Sequence, residues 1–368
     1  MTYCSWQLLV CLCLAVVLAW LLPQRWQPWS IAAVTAGFMA WVAPVSLAVL
    51  TASSCLVYWS MGLKRPETGV VLAGAGGLAS VFVYYKLRVD ASQQAAIPLG
   101  LSYYTFRLIH YSFEAYKGKL PRHQLSEVVL YLFFLPTLIV GPIHRFGPFV
   151  RDLRRRRWDT IVFSGGLERI LVGYFKVVVL ANYLVNQKIV LLMPVLADDS
   201  FGQAYFDAII LWLNLYLQFS GYSDIAIGFS ALVGFRVMEN FNFPFIAANI
   251  KEFWMRWHIS LTSWCREYVF QPVLSFSRSP LLAICMAMII LGLWHEVSLR
   301  YILWGLYHGA GIATWHFFQK IKPQGNSRQH PLLKLSGRIV ATLITLNFVI
   351  LSYPVTTFIQ EKMLESLS

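Results

Sequence analysis

Three of the eight histidines fall inside one stretch, Phe241 to His308, each beside an aromatic residue: Trp257-His258, Trp294-His295 and Tyr307-His308. Imidazole exchanges its proton near neutral pH. A histidine in apolar sequence can therefore serve as a general base, a proton relay or a metal ligand. Ionisable groups are costly in such surroundings, which makes all three functional candidates. On a continuous helix Trp254, Trp257 and Leu261 share one face, and His258 borders it. His295 follows a fifteen-residue apolar run, 280–294, and precedes Glu296. His308 sits in Trp304-Gly305-Leu306-Tyr307-His308-Gly309, where glycines permit close helix approach. Three histidines without a well-spaced carboxylate make a weak metal set, and no metal site is expected. Spacing alone leaves a proton-coupled transporter and an enzyme acting on a lipid or thioester both open.

The elements that must hold these residues are membrane helices. The 368 residues are 58% hydrophobic and only 13% charged, against roughly 25% charged in a soluble domain. The expected fold is an all-α polytopic membrane protein with about ten to eleven membrane segments, forming one domain over 1–368. The net charge of +13 lies between apolar runs. It reads as loop charge that orients the helices and not as a nucleic-acid surface. The six cysteines, Cys4, Cys11, Cys13, Cys55, Cys265 and Cys285, read mostly as small apolar packing residues.

Residues 6–23 form an apolar run with no basic residue before it, so a retained helix with Arg25 on the inside is expected. Residues 30–62 are too long for one span of roughly 20 residues. Two helices broken near Ala43-Pro44 fit better, leaving Lys64 and Arg65 inside. Runs 69–85 and 97–115 read as spans. Run 125–143 has basic residues on both flanks, including Arg151, Arg154, Arg155, Arg156 and Arg157. A re-entrant element entering and leaving by one face resolves that conflict. A further segment, 160–196, carries Glu168, Arg169 and Lys176. Segment 205–235 is read as interrupted at Gln218 to Asp224, with Asp224 either stapling a helix break or serving a site. Residues 239–278 carry too many charges for a plain span and read as interfacial or re-entrant helices. Spans over 280–295, 300–318 and 335–359 follow, the last after a basic loop from Lys320 to Lys334.

Several ordered stretches resemble the membrane-bound O-acyltransferase family, and within it the bacterial branch of alginate O-acetylation type. They are Phe219-Ser220-Gly221-Tyr222-Ser223-Asp224, Glu239-Asn240-Phe241-Asn242-x-Pro244, Phe253-Trp254-x-Arg256-Trp257-His258-Ile259-Ser260-Leu261 and Gly292-Leu293-Trp294-His295. Upstream, Pro98-Leu99-Gly100-Leu101-Ser102-Tyr103-x-Thr105-Phe106 and Gly141-Pro142-Ile143-x-Arg145 agree with the same branch. The resemblance covers about 97–318. Gly141-Pro142-Ile143-His144-Arg145-Phe146 is also similar to the teichoic-acid D-alanylation type. Two departures stand out: Glu296 where the branch has glycine, and Gln271-Pro272-Val273-Leu274 in place of a glycine- and asparagine-rich stretch.

The resemblance implies a catalytic histidine at His295 and a polar partner at His258. His308, Asp224, Arg256 and Trp294 become possible supporting residues. It implies O-acyl transfer, with acetyl favoured, from a cytoplasmic thioester to a hydroxyl of an extracytoplasmic polysaccharide or cell-envelope polymer. The donor would be acyl-CoA or an acylated phosphopantetheine carrier protein, with no tightly bound cofactor. The five arginines from Arg151 to Arg157 could attract that donor. An extracytoplasmic transferase partner and a location in the bacterial cytoplasmic membrane are also implied. D-alanyl transfer to teichoic acids is the nearest alternative. A transporter or a non-catalytic assembly subunit is the alternative outside enzymes.

Overall fold

The regular elements among the described residues are all helical, as expected of a chain whose apolar runs must satisfy their own backbone inside a bilayer. The computed structural model describes residues 5–61, 67–92, 97–192, 200–321 and 331–366. Cys4, Lys64, Arg65 and 322–330 of the basic loop lie outside them. Among the described residues, four stretches are long and apolar enough to cross a membrane: Pro44–Met61, Thr68–Leu87, Thr160–Ile189 and Lys334–Glu365. Trp6–Leu21, Leu125–Thr137 and Pro280–His295 are shorter apolar helices. The larger number of segments read from the sequence counted helices that carry charge inside them. Arg107 and Glu114 in Leu101–Tyr116 are examples.

The chain forms two compact units. The first comprises residues to Val177 together with Phe219–Glu239. It begins with α1 (Trp6–Leu21), α2 (Gln27–Val42), α3 (Pro44–Met61), α4 (Thr68–Ser92) and α5 (Leu101–Tyr116). The break between α2 and α3 falls at Ala43-Pro44 as the sequence indicates, because proline brings no N–H and disfavours helix in the residue before it.

Next come α6 (Leu125–Leu132), α7 (Phe146–Arg155) and α8 (Thr160–Tyr174), which continues to Ile189 with wider π-type turns. At eight residues α6 is about 12 Å long and does not cross a bilayer core of about 30 Å. The non-helical backbone after it is folded around Arg107, which is fully buried. Arg107 donates to Tyr131 O at 3.1 Å, to Thr137 Oγ1 at 2.6 Å and to Thr137 O. Tyr131 donates to His144 O at 3.0 Å, and Phe146 N–H donates to His110 Nε2 at 3.0 Å. Buried irregular backbone is tolerated because protein groups satisfy it.

Helix α9 (Ser200–Leu232) is continuous. The interruption expected at Gln218 to Asp224 does not occur, and Asp224 staples no break. Its carboxylate instead accepts from Arg169 Nε at 2.7 Å and Lys176 Nζ at 2.6 Å, both on the α8 stretch. Arg169 also donates to Glu239 Oε1 at 2.9 Å. Long-range cations meet the cost of the buried carboxylate, so the helix need not open. Glycines let the two helices touch: a Cβ on Gly173 would stand 2.7 Å from Gly221 O, and one on Gly228 2.6 Å from Gly166 O. The helix ends at Gly234, φ +87. There Phe235 N–H bonds Ser230 O at 2.8 Å and Gly234 N–H bonds Ala231 O at 2.9 Å, the paired closure that a left-handed glycine allows.

The second unit comprises Val178–Gln218 and the chain from Asn240 onward. After α9 it holds the seven-residue α10 (Ile250–Arg256), then α11 (Ile259–Cys265) and α12 (Gln271–Ser277), which the π-type turn Arg266–Phe270 joins into one unbroken helical stretch. Then follow α13 (Pro280–His295), α14 (Leu299–Ile321) and α15 (Pro331–Glu365). Helices α13 and α14 lie backbone to backbone, since a Cβ on Gly305 would stand 2.6 Å from Met288 O. Pro354 inside α15 removes one N–H, and nearby threonines bond main-chain carbonyls, Thr356 Oγ1 to Ser352 O at 2.7 Å and Thr357 Oγ1 to Tyr353 O at 3.0 Å.

Candidate active site

The three histidines come together in the second unit through shared aromatic rings. Trp294 lies 5.2 Å from the ring of His258 and 4.5 Å from that of His295. Trp304 lies 5.5 Å from His295 and 4.5 Å from His308. The order across the site is therefore His258, Trp294, His295, Trp304, His308. Tyr301 stacks on His295 with its ring 5.4 Å away and 17° from parallel. Trp254 closes over His308 at 5.2 Å.

Each histidine is positioned differently. His258 does not sit on a continuous helix with Trp254, Trp257 and Leu261. Helix α10 stops at Arg256, and α11 starts at Ile259, with His258 between them in the left-handed region, φ 42 and ψ 54. The three apolar residues are nevertheless buried, because they pack from two helices and the link between them. Asn240 holds this break. Its carbonyl accepts from Ile259 N–H at 2.9 Å and its side-chain oxygen from Ser260 N–H at 3.3 Å. Two residues on, Asn242 N–H bonds Arg256 O at 3.0 Å.

His295 ends α13, and it is the only one of the three that is not fully buried. His308, about one turn beyond Trp304 on α14, is wholly enclosed. Neither of its ring nitrogens has a hydrogen-bond partner among the described residues.

The supporting candidates divide. Trp294 belongs to the site as the ring between His258 and His295. Arg256 acts on the backbone: it binds Glu252 Oε1 through Nε at 3.0 Å and donates to Asn242 O at 3.0 Å. Glu252 in turn accepts from Ala248 N–H at 3.0 Å beside the Asn249 cap of α10. Asp224 lies in the first unit with Arg169 and Lys176. Glu296, which follows His295, points to Arg300 at 3.4 Å, and Arg300 also donates to Tyr353 OH at 2.9 Å.

The arginine run is not uniform. Arg154 grips Glu127 with two bonds of 2.8 and 2.9 Å. Arg156 donates to Val233 O at 3.0 Å, to Ala19 O at 2.8 Å and to Gln27 Oε1. These two hold structure, Arg154 from an exposed position, whereas the exposed Arg151, Arg155 and Arg157 make no ion pair among the described residues.

Residues that sequence reasoning passed over complete the site. Tyr301 gave no signal, being one tyrosine in an aromatic-rich run. Ser352, which accepts from Trp304 Nε1 at 3.2 Å, looks like any serine in an apolar helix. Asn240 lay within a quoted motif but had no assigned role. No group of three or more His, Cys, Asp or Glu side chains placed to share a metal occurs among the described residues.

Comparison with known proteins shows the family of the chain. The model of the membrane-bound O-acyltransferase (MBOAT) family matches residues 28–353. The "probable alginate O-acetylase AlgI" of Pseudomonas aeruginosa is 34% identical over 251 residues, covering 65% of this chain and 46% of that protein. Its counterpart in Pseudomonas putida is 32% identical over 312 residues, covering 75% and 62%. The "teichoic acid D-alanyltransferase" of Bacillus subtilis is 32% identical over 241 residues, covering 60% of each. The chain thus spans about half the length of the alginate relatives it matches.

Proposed function

The chain belongs to the membrane-bound O-acyltransferase family, and from that premise we propose that it transfers an acyl group, acetyl first, from a thioester to a hydroxyl acceptor with His295 as the general base. The observation that carries this reading is the unequal burial of the three histidines. His295 alone stays open to a substrate, at the end of α13, while His258 and His308 are enclosed behind Trp294 and Trp304.

The reaction runs as a proton-coupled acyl transfer. The imidazole of His295 takes the proton of the acceptor hydroxyl as its oxygen attacks the thioester carbonyl carbon. The new carbon–oxygen bond forms, the carbon–sulfur bond breaks, and the proton passes from imidazole to the departing sulfur. The carboxyl end of a helix favours positive charge, which suits the imidazolium that forms at the end of α13. His258, across Trp294, orients this arrangement or donates to the carbonyl oxygen as it gains charge. Tyr301 stacked on His295 fixes the plane of the attacking ring.

The donor in this proposal is acyl-CoA or an acylated phosphopantetheine carrier protein, reaching the protein from the cytoplasmic face of a bacterial cytoplasmic membrane. The acceptor is an extracytoplasmic polysaccharide or cell-envelope polymer, served by a second, extracytoplasmic transferase. The likeness to probable alginate O-acetylases supports acetyl transfer to a polysaccharide. The Bacillus relative's name supports D-alanyl transfer as the second reading.

The test is label transfer in inverted membrane vesicles supplied with radiolabelled acetyl-CoA. Wild-type protein should move label to polymer or partner protein. His295→Ala should lower that transfer by about 10²–10⁴-fold, the range for loss of a general base, with the protein still folded. Undiminished transfer by His295→Ala would remove His295 from the chemistry. Label absent with acetyl-CoA but present with a D-alanylated carrier protein would select the second reading.

A further inference from the structure

A second candidate site lies in the first unit, around the arginines that follow α7. A cavity of about 280 Å³ opens there, smaller than the roughly 300–1,000 Å³ typical of sites that enclose a drug-sized ligand. Its inner wall is rigid. Trp20 is fixed by its Nε1–H bond to Leu232 O at 2.7 Å, and Arg156 lies over the Trp20 ring at 4.9 Å while donating to Val233 O and Ala19 O. Gly234 makes room for that arginine, because a Cβ there would stand 2.6 Å from Arg156 Cγ.

The rim is cationic and unspent. Arg155, Arg157 and Arg236 line the opening, are exposed, and make no ion pair among the described residues. Two aspartates share the lining. Asp159 is committed to capping α8, accepting from Ile161 N–H at 2.9 Å and Val162 N–H at 3.2 Å. Asp152 retains its acceptor capacity beside the arginines.

The surroundings are those of a membrane interface. Trp158 is half exposed and meets Trp20 edge-on at 5.1 Å. Ile161, at the start of the candidate span Thr160–Ile189, is 81% exposed. Tryptophans of this kind sit at the headgroup level, and an apolar side chain this exposed at the head of a spanning helix faces lipid tails.

We propose that this cavity binds a phosphate ester, and that the ester is the headgroup of an anionic membrane lipid. Arg155, Arg157 and Arg236 converge on the phosphate, since guanidinium forks match phosphate oxygens. Asp152 accepts from a hydroxyl or ammonium of the headgroup, and the acyl chains run down past Ile161. Basic pockets between helices at the cytoplasmic face recognise lipid headgroups by this combination. The same chemistry exists in the phosphates of a nucleotide-bearing thioester donor, but the cavity would admit only part of such a molecule. The inference stands apart from the acyl-transfer reading.

The test uses full-length protein in nanodiscs of phosphatidylcholine with phosphatidylglycerol, followed by native mass spectrometry of the lipid retained. Wild type should retain phosphatidylglycerol. The triple variant Arg155→Gln, Arg157→Gln, Arg236→Gln should hold it on the order of a hundredfold more weakly, from about 1 kcal/mol per basic residue near an anionic surface. Arg151→Gln, from the same run but outside the cavity, should leave retention unchanged. Thermal unfolding of the triple variant should match wild type, because none of the three side chains carries an internal bond. A second arm adds adenosine 3′,5′-bisphosphate. Retention that survives it identifies the lipid as the ligand; displacement by it keeps the phosphate site and transfers its occupant to the nucleotide. Equal retention by wild type and the triple variant, with no nucleotide binding, would overturn the proposal. Full acyl transfer by the triple variant would leave the His295 reading untouched.

Discussion

Asn240 sets the backbone of His258. With its carbonyl on Ile259 N–H and its side-chain oxygen on Ser260 N–H, it satisfies the two leading donors of α11 and so lets the chain turn left-handed at the histidine. A non-glycine residue in that conformation costs about 1–2 kcal/mol, and strain of this kind persists where surrounding structure imposes it. The imidazole of His258 is thereby aimed at Trp294 by the main chain, before any side-chain contact is counted.

Substitution at this position should therefore separate strain from chemistry. His258→Gly relieves the backbone and should leave thermal stability in detergent equal to or above wild type while acyl transfer falls by at least about tenfold, a modest share of what a positioned polar group contributes. His258→Val should lose activity and also about 1–2 kcal/mol of stability, since a β-branched residue resists positive φ. Equal stability in the two variants would mean that the break does not depend on the conformation of this residue.

The crossing of α8 and α9 is set by backbone contact. Gly173→Leu places a side chain where even a Cβ meets Gly221 O at 2.7 Å, and overpacking of this kind costs about 1–3 kcal/mol or more when backbone lies opposite. The variant should give a lower yield of monodisperse protein on size-exclusion chromatography. Gly165→Leu, whose Cβ meets nothing within 4 Å, should behave as wild type. Identical profiles for both would show that the helices can separate without loss.

Asp224 is read most economically as the counter-ion of Arg169 and Lys176. Asp224→Asn leaves two cations facing a neutral amide at a site where the carboxylate is 6% exposed. Removing one partner of a fully buried pair costs about 3–5 kcal/mol, and the partial exposure of both cations reduces the expected loss to about 2 kcal/mol. Adding Lys176→Gln should recover part of it, seen as a thermal shift. Activity lost in Asp224→Asn with stability unchanged would instead give Asp224 a part in the reaction.

The Glu127–Arg154 pair predicts a pH dependence. Burial alone pulls the Glu127 carboxyl upward, but the Arg154 guanidinium and the Gln124 N–H outweigh it and hold it below the ordinary value of 4.5. A carboxyl with a depressed folded-state pKa contributes stability that is present above 4.5 and lost as pH falls through the folded value. The thermal stability of wild type over Glu127→Gln should therefore be constant at neutral pH and shrink only below about pH 4.5. A gap that closes between pH 6 and 8 would assign the effect to another group.

Much of the helical plan was readable from apolar runs and from proline. The Ala43-Pro44 break follows from a local rule about proline, and the basic flanks of 125–143 already spoke against a plain span there, where the structure has the eight-residue α6. Elsewhere the outcome depends on contacts far along the chain. Periodicity runs unbroken through Trp254, Trp257 and Leu261, and only the remote hydrogen bonds of Asn240 reveal that the helix stops. Asp224 looks like a helix breaker until Arg169 and Lys176, 55 and 48 residues away, are seen to neutralise it. The histidines were visible by type and neighbour. Their ranking by burial, the stacking of Tyr301 and the division of the arginine run (between side chains bonded to distant groups and side chains that are not) needed three dimensions.

Trp304 walls both His295 and His308, and its indole is tied to Ser352 on α15. Helix α15 is thus part of the wall of the candidate site and not merely an anchor. A shortened version lacking α15 would still have apolar helices enough to enter a bilayer, yet its chamber would lack one retaining strut. Engineers seeking a minimal version of this protein should trim elsewhere.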